Sequence, residues 1–162
     1  MILVAIGANL PGRDGADPLT TCQRAVRAMH DIPDVRLSTV SRWYETAPVP
    51  PSGQPNYVNG IARLEGAIEP PVLLARLQAI EAEAGRRRGV PNAARTLDLD
   101  IIAMGDLVCA APDPVLPHPR AHLRLFVLVP LAEVAPGWMH PVLHRPVEAL
   151  IAGLPPELVR PI

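Results

Sequence analysis

What most constrains this chain is the order in which its hydrophobic period changes. Residues 2–6 form an uninterrupted apolar run closed by Gly7, the pattern of a buried strand followed by a loop from Asn9 to Gly15. Asp17-Pro18 supplies a helix cap with Pro in the first turn, and Leu19, Cys22, Val26 and Met29 follow at helical spacing, so a helix is predicted over 18–30. Val35, Leu37, Thr39, Ser41 and Trp43 then alternate with Arg36, Ser38, Val40 and Arg42, predicting one long half-buried strand over 34–46. Pro48, Pro50, Pro51, Gly53 and Pro55 stiffen the next loop. A second strand over 57–67 is expected to pair antiparallel with the first. Pro70-Pro71 open a second helix whose buried stripe is Leu73, Leu77, Ile80 and Ala84, and Gly85 ends it. Leu97 to Met104 is a further strand.

The order strand, helix, strand, strand, helix, strand is the split βαβ pattern of an α+β, ferredoxin-like βαββαβ sandwich: an antiparallel sheet with helices on one face. Extra C-terminal elements are expected: a helix from about Arg120 to Val134, disturbed at Pro130, and a short one from Pro146 through Leu150. No repeat or long linker divides residues 1–162, so a single domain is expected.

Composition then limits the chemistry. All 15 basic residues are Arg, which excludes a P-loop lysine, a Schiff-base lysine and a protein-kinase strand lysine. Phosphate, if handled, falls to Arg, metal ions and backbone N–H groups. A formal net charge of -1 offers no basic surface for nucleic acid. Cys22 and Cys109 are too few for a disulfide framework and are expected to be buried thiols. The N-terminus lacks the basic region of a signal peptide, and no apolar stretch approaches a membrane span. A cytoplasmic protein is expected, with no membrane partner.

The most informative segment is Arg95-Thr96-Leu97-Asp98-Leu99-Asp100-Ile101-Ile102. On a strand, Asp98 and Asp100 point one way while Leu99 and Ile101 point into the core. Two carboxylates so spaced suit a hard cation such as Mg²⁺, which completes its shell with water and phosphate oxygens; the same residues also describe a plain solvent-facing strand. Ahead of them, Gly85 to Arg95 concentrates Arg86, Arg87, Arg88 and Arg95. That cluster reads as a phosphate-gripping lid hinged at Gly85 and Gly89, or as a solvated charge run at a helix C-terminus. In Leu116-Pro117-His118-Pro119-Arg120-Ala121-His122-Leu123-Arg124, Pro on both sides fixes the backbone around His118. His118 and Arg124 are candidates for phosphate or nucleotide contact, and the alternative is a structural role in starting the helix. His140 and His144 read as surface residues.

Together, Ile6-Gly7-Ala8-Asn9-Leu10, Gln54-Pro55-Asn56-Tyr57-Val58-Asn59, Arg95-Thr96-Leu97-Asp98-Leu99-Asp100-Ile101, and Pro117-His118-Pro119-Arg120 with Phe126 beyond, closely resemble the 6-hydroxymethyl-7,8-dihydropterin pyrophosphokinase family in order and spacing, over about residues 2–145. The resemblance implies transfer of an intact pyrophosphoryl group from ATP to the pterin hydroxymethyl, in folate biosynthesis. A monomer is expected. It implies that Asp98 and Asp100 ligate two Mg²⁺ ions. Thr46, Tyr57, Asn59 and Phe126 would bind the pterin. Gln78, Glu81, Arg95, His118 and Arg124 would contact ATP, and Arg86 and Arg88, with Arg95, would grip its phosphates. Two departures stand out. The Arg loop is one residue shorter than in a common form of the family and has Val90-Pro91-Asn92 where an aromatic is often found. The segment Asp113-Pro114-Val115-Leu116 lacks a basic residue that some members carry. Taken alone, the residues also fit a non-catalytic ligand-binding domain of this fold, or a metal-dependent phosphohydrolase.

Overall fold

The computed structural model describes residues 1–48, 50–85, 96–111 and 113–162. Six strands and four α-helices follow in the order β1 (Ile2–Ala8), α1 (Pro18–Met29), β2 (Val35–Val40), β3 (Tyr44–Thr46), β4 (Tyr57–Gly66), α2 (Pro70–Glu83), β5 (Asp98–Met104), α3 (Leu125–Val134), α4 (Val147–Ala152) and β6 (Val159–Pro161). The sheet runs β5-β1-β4-β3-β6, with β2 also on β4, and every pairing is antiparallel. This is the expected α+β, ferredoxin-like core with C-terminal additions.

Local chemistry accounts for the first helix. The Asp17 carboxylate accepts from the Thr20 N–H at 2.8 Å, and Pro18 occupies the first turn. Thr21, Cys22, Ala25 and Met29 are its buried residues. Cys22 is fully buried as expected, and burial pushes its thiol up to about 12; Cys109 is only half-buried.

Three features depart from the sequence reading. First, the long strand expected over 34–46 is broken into β2 and β3. Val40 pairs with Ala62 and Tyr44 with Asn59, so four steps on one side oppose three on β4 and one residue bulges. Ser41 fills the break: its N–H donates to Ile61 O and its hydroxyl accepts from the Ile61 N–H, both at 2.9 Å. Trp43 then packs where a Cβ on Gly60 would lie 2.7 Å from its ring, so glycine is needed there. Second, β6 joins the edge of β3, a three-residue strand too short to carry a period. Third, helices cover both faces of the sheet rather than one. Ile2, Val4 and Ile6 of β1 pack with Cys22, Met29, Leu73 and Leu77 of α1 and α2. Leu3 packs with Ile61, Ile102, Leu128, Leu131, Trp138, Val147 and Leu150 on the α3/α4 side. The expected helix from Arg120 begins as a 3-10 turn, Ala121–Leu123, before α3 proper, and Pro130 is accommodated inside α3.

His140 is buried at 4% exposure, not superficial. Its Nδ1 accepts from the N–H groups of Val142 and Leu143, and its ring meets His122 and Trp138 edge-on. His144 is exposed, as expected.

Candidate active site

The register of three strands builds the site. Residues opposite one another in an antiparallel sheet share a face. Asp98, Gly7, Asn59 and Tyr44 lie in one row across β5, β1, β4 and β3, and Asp100, Ala5 and Ile61 lie in the next. On the α3 face, β1 therefore presents Leu3, Ala5 and Gly7, side chains that shrink toward its C-terminal end. The core closes around Leu3, and beyond it the loss of side-chain volume leaves a cavity of about 200 Å³. Its lining includes Thr46, Tyr57, Asn59, Asp98, Asp100, His118, Arg124 and Phe126. Residues more than 70 positions apart in sequence thus meet around one space.

Glycine at position 7 is a requirement, because a Cβ there would lie 2.6 Å from Asn59 Oδ1. The Asn59 side chain lies against the β1 backbone, and its Nδ2 donates to the hydroxyl of the buried Thr46. The loop after β3 is pinned from β1: Asn9, 2% exposed, donates from Nδ2 to Gln54 Oε1 at 3.1 Å and to Pro55 O at 3.0 Å. The Gly-Ala-Asn run thus opens space on the sheet and ties down the loop beside it.

On the other wall, the His118 N–H donates to Ile102 O at 2.9 Å, laying the Pro-flanked segment beside β5. Its Nδ1 accepts from the Arg120 N–H at 3.2 Å. Burial, together with Arg124 and Arg120, pushes the His118 ring down to about 4, against the pull of Asp98. At neutral pH the ring is neutral, and with Nδ1 accepting, its proton sits on Nε2 as a donor. The Arg124 guanidinium lies over the Phe126 ring, 5.5 Å from its centroid. Burial and Arg120 push it below its usual value while Asp100 and Asp98 oppose them; a guanidinium remains cationic throughout.

The remaining expected residues are either outside the described residues or off this lining. Arg86, Arg88 and Arg95 lie outside the described residues. Gln78 is exposed on α2 and does not line the cavity. Glu81 is 2% exposed and accepts from the Leu99 N–H at 2.8 Å, so its carboxylate meets the β5 backbone. The sequence reading assigned no role to Gln54 or Arg120, which also line the cavity. Each sits inside a motif already quoted, so proximity to Tyr57 and His118 was the available signal. A larger hollow of about 590 Å³ lies between α1 and α2, where Arg13, Arg24 and Arg76 face Asp14, Asp31 and Glu83. It takes in none of the residues singled out for chemistry.

Fold and cavity together define a class: an α+β protein whose antiparallel sheet carries an acidic pair, opposed by cationic and aromatic side chains, around a small-molecule pocket. The comparisons with known proteins narrow this class. Residues 3–136 match the model of the 7,8-dihydro-6-hydroxymethylpterin-pyrophosphokinase family. The chain is 40% identical over 156 residues to the 2-amino-4-hydroxy-6-hydroxymethyldihydropteridine pyrophosphokinase of Pseudomonas aeruginosa, covering 96% of this chain and 93% of that one. It is 35% identical to the enzyme of the same name from Synechocystis sp., over 99% of this chain and 79% of that one. It is also 34% identical to the folic acid synthesis protein fol1 of Schizosaccharomyces pombe, over 97% of this chain and 21% of that longer protein. The chain belongs to the 7,8-dihydro-6-hydroxymethylpterin-pyrophosphokinase family and is a pyrophosphokinase of folate biosynthesis. No helix among the described residues is long and apolar enough to cross a membrane.

Proposed function

We propose that this chain uses ATP and Mg²⁺ to transfer a pyrophosphoryl group to the hydroxymethyl of 6-hydroxymethyl-7,8-dihydropterin. The observation that carries the reading is the row Asp98–Gly7–Asn59. It sets an acidic, cation-holding position beside a polar, ring-holding one with no side chain between them. In the reaction, the pterin hydroxyl oxygen bonds to the β-phosphorus of ATP. The bond from that phosphorus to the α–β bridging oxygen breaks, AMP leaves with the oxygen, and the hydroxyl proton is released.

The residues fit Mg²⁺. Asp98 and Asp100 offer oxygen donors alone, and no cluster of three or more His, Cys, Asp or Glu among the described residues points to a softer metal. Two half-buried carboxylates opening on a cavity leave positions for water and phosphate oxygens. Bound there, two such ions would neutralise phosphate charge and hold the attacking and leaving oxygens in line. The side chains do the rest by position. Asn59, held by Thr46, presents its amide to the polar rim of the pterin, and Tyr57 and Phe126 offer ring faces. His118 donates from Nε2 to a phosphate oxygen. Arg124, fixed over Phe126, brings a guanidinium between the phosphates and the ring. Gln78, Arg86, Arg88 and Arg95 keep their proposed ATP contacts on family resemblance alone, whereas the Glu81 carboxylate is engaged at the Leu99 N–H. A monomeric enzyme of the cytoplasm remains part of this proposal, carried by the sequence reading alone.

The test is AMP formation from Mg-ATP with and without the pterin. AMP release that requires both the pterin and Mg²⁺ supports the reading. Phosphate or pyrophosphate release without the pterin makes the protein a hydrolase, and the absence of any Mg²⁺-dependent ATP binding makes it a binding domain.

A further inference from the structure

The α2 stripe ends in an unexpected residue. Positions 73, 77 and 81 are its buried residues at a spacing of four, and the third is Glu81 rather than an apolar side chain. Ile80 and Ala84, the sequence-based candidates for that end of the stripe, are only half-buried. A carboxylate is kept inside a protein where its hydrogen bonds justify the desolvation. Glu81 Oε2 accepts from the N–H of Leu99 at 2.8 Å. Leu99 lies between Asp98 and Asp100, and β5 is the last strand of the sheet. With β1 on its other side, no further strand among the described residues takes up the N–H groups on this edge.

From this geometry we infer that Glu81 is a positioning residue: by holding the Leu99 peptide from the open edge of β5, it sets the separation and aim of the Asp98 and Asp100 carboxylates for divalent-cation binding. Alternate side chains of a strand leave the backbone on opposite faces, so a peptide that tilts about the strand axis turns both aspartates together. Leu99 is anchored on the α1/α2 side by its own burial. Glu81 adds a restraint along the edge, which apolar packing alone does not supply, because apolar contact is non-directional. Partners that orient metal-binding side chains in this way are worth roughly ten- to a hundredfold in metal affinity. The inference rests on the proposed role of Asp98 and Asp100 as cation ligands.

The test uses the full chain with Glu81→Gln, Glu81→Asp and Glu81→Leu. Two quantities are read: hydrogen exchange at the Leu99 amide without metal, and the Mg²⁺ concentration giving half-maximal pyrophosphoryl transfer. Gln keeps an oxygen acceptor of the same reach, so exchange and Mg²⁺ requirement should stay within about twofold of the parent. Asp keeps the charge but falls one methylene short, and Leu removes the acceptor. Both should speed Leu99 exchange and raise the Mg²⁺ requirement roughly tenfold, with kcat largely recovered at saturating Mg²⁺. The Asp variant keeps the test open if the Leu variant does not fold. Faster exchange with an unchanged Mg²⁺ requirement overturns the positioning role alone, as does a Gln variant that behaves like Leu. Transfer by the parent without any divalent cation overturns the reading of Asp98 and Asp100 on which it rests, whatever the exchange data show.

Discussion

The two faces of β1 are made from neighbouring residues and do opposite things. On the α1/α2 face, Ile2, Val4, Ile6 and Ala8 are all buried, and the strand is apolar to its end. On the α3 face, Leu3 is buried, but Ala5 and Gly7 follow, and the apolar layer gives way to a cavity floored by small residues and flanked by Asp98, Asp100 and Asn59. The strands on either side repeat the asymmetry. β5 turns Leu99 and Ile101 toward one face and its aspartates toward the other; β4 turns Ala62 and Leu64 one way and Tyr57 and Asn59 the other. The lesson is a division of labour by strand parity. One face supplies stability to a sheet whose other face is locally under-packed, and under-packing on the second face is what opens the cavity.

The sharpest way to break this comparison is to exchange consequences between the faces. Asp98→Ala should lower pyrophosphoryl transfer by about 10²–10³-fold or more, while its melting temperature stays close to that of the parent. Ile6→Ala, on the buried face, should do the reverse, losing about 2–5 kcal/mol of stability with kcat at low temperature little changed. Near-normal turnover in the first variant, or an unaltered melting temperature in the second, would show that parity does not divide the two roles.

A smaller effect sharpens the comparison at the row where the faces meet. Gly7→Ala adds one methyl where Asn59 Oδ1 would be 2.6 Å away, so Asn59 must shift. Pterin affinity should fall roughly tenfold through loss of one aligned polar contact, with ATP affinity unchanged. Calorimetric titration of each ligand separates the two. Equal losses for both would place Asn59 outside the pterin half of the cavity.

The smallest expected effect concerns pH. The folded His118 ring sits at about 4, below its ordinary 6.5, because burial disfavours its charged form. The unfolded chain therefore takes up this proton first on acidification. Stability should be unaffected by this group above about pH 6.5 and should decline as pH falls from there toward 4. His118→Gln, which cannot titrate, should flatten that acid limb in a melting-temperature series. An identical slope in the variant would assign the acid loss to other groups.

Much of this was legible in the sequence, and what was not has physical reasons. The cap at Asp17, the Pro70 start and the β1 and β5 periods are local, so each appears in the observed elements almost unchanged. The split between β2 and β3 was hidden because Ser41 and Trp43 continue the alternation. What breaks the strand is a bulge set by Ile61 and by the space over Gly60, both on another strand. The burial of His140 depends on Trp138 and His122, and its polar end is satisfied by backbone two and three residues on. Glu81 was expected at ATP from the family resemblance alone; its hydrogen bond to the Leu99 N–H depends on the edge of β5, which the helix's own period does not contain.

The sequence by itself determined the order of the main strands and helices, the alternation that puts Asp98 with Asp100 and Tyr57 with Asn59, and the restriction of basic side chains to Arg and His. These follow from backbone periods and side-chain chemistry, which are properties of neighbours along the chain. Only the tertiary structure decided that Gly7 stands between Asp98 and Asn59, that His118 and Arg124 close the same cavity, and that Glu81 turns inward to Leu99. Those facts depend on strand register and on which helix covers which face. Register and layer order are settled by the packing of the whole sheet, so no segment read alone contains them.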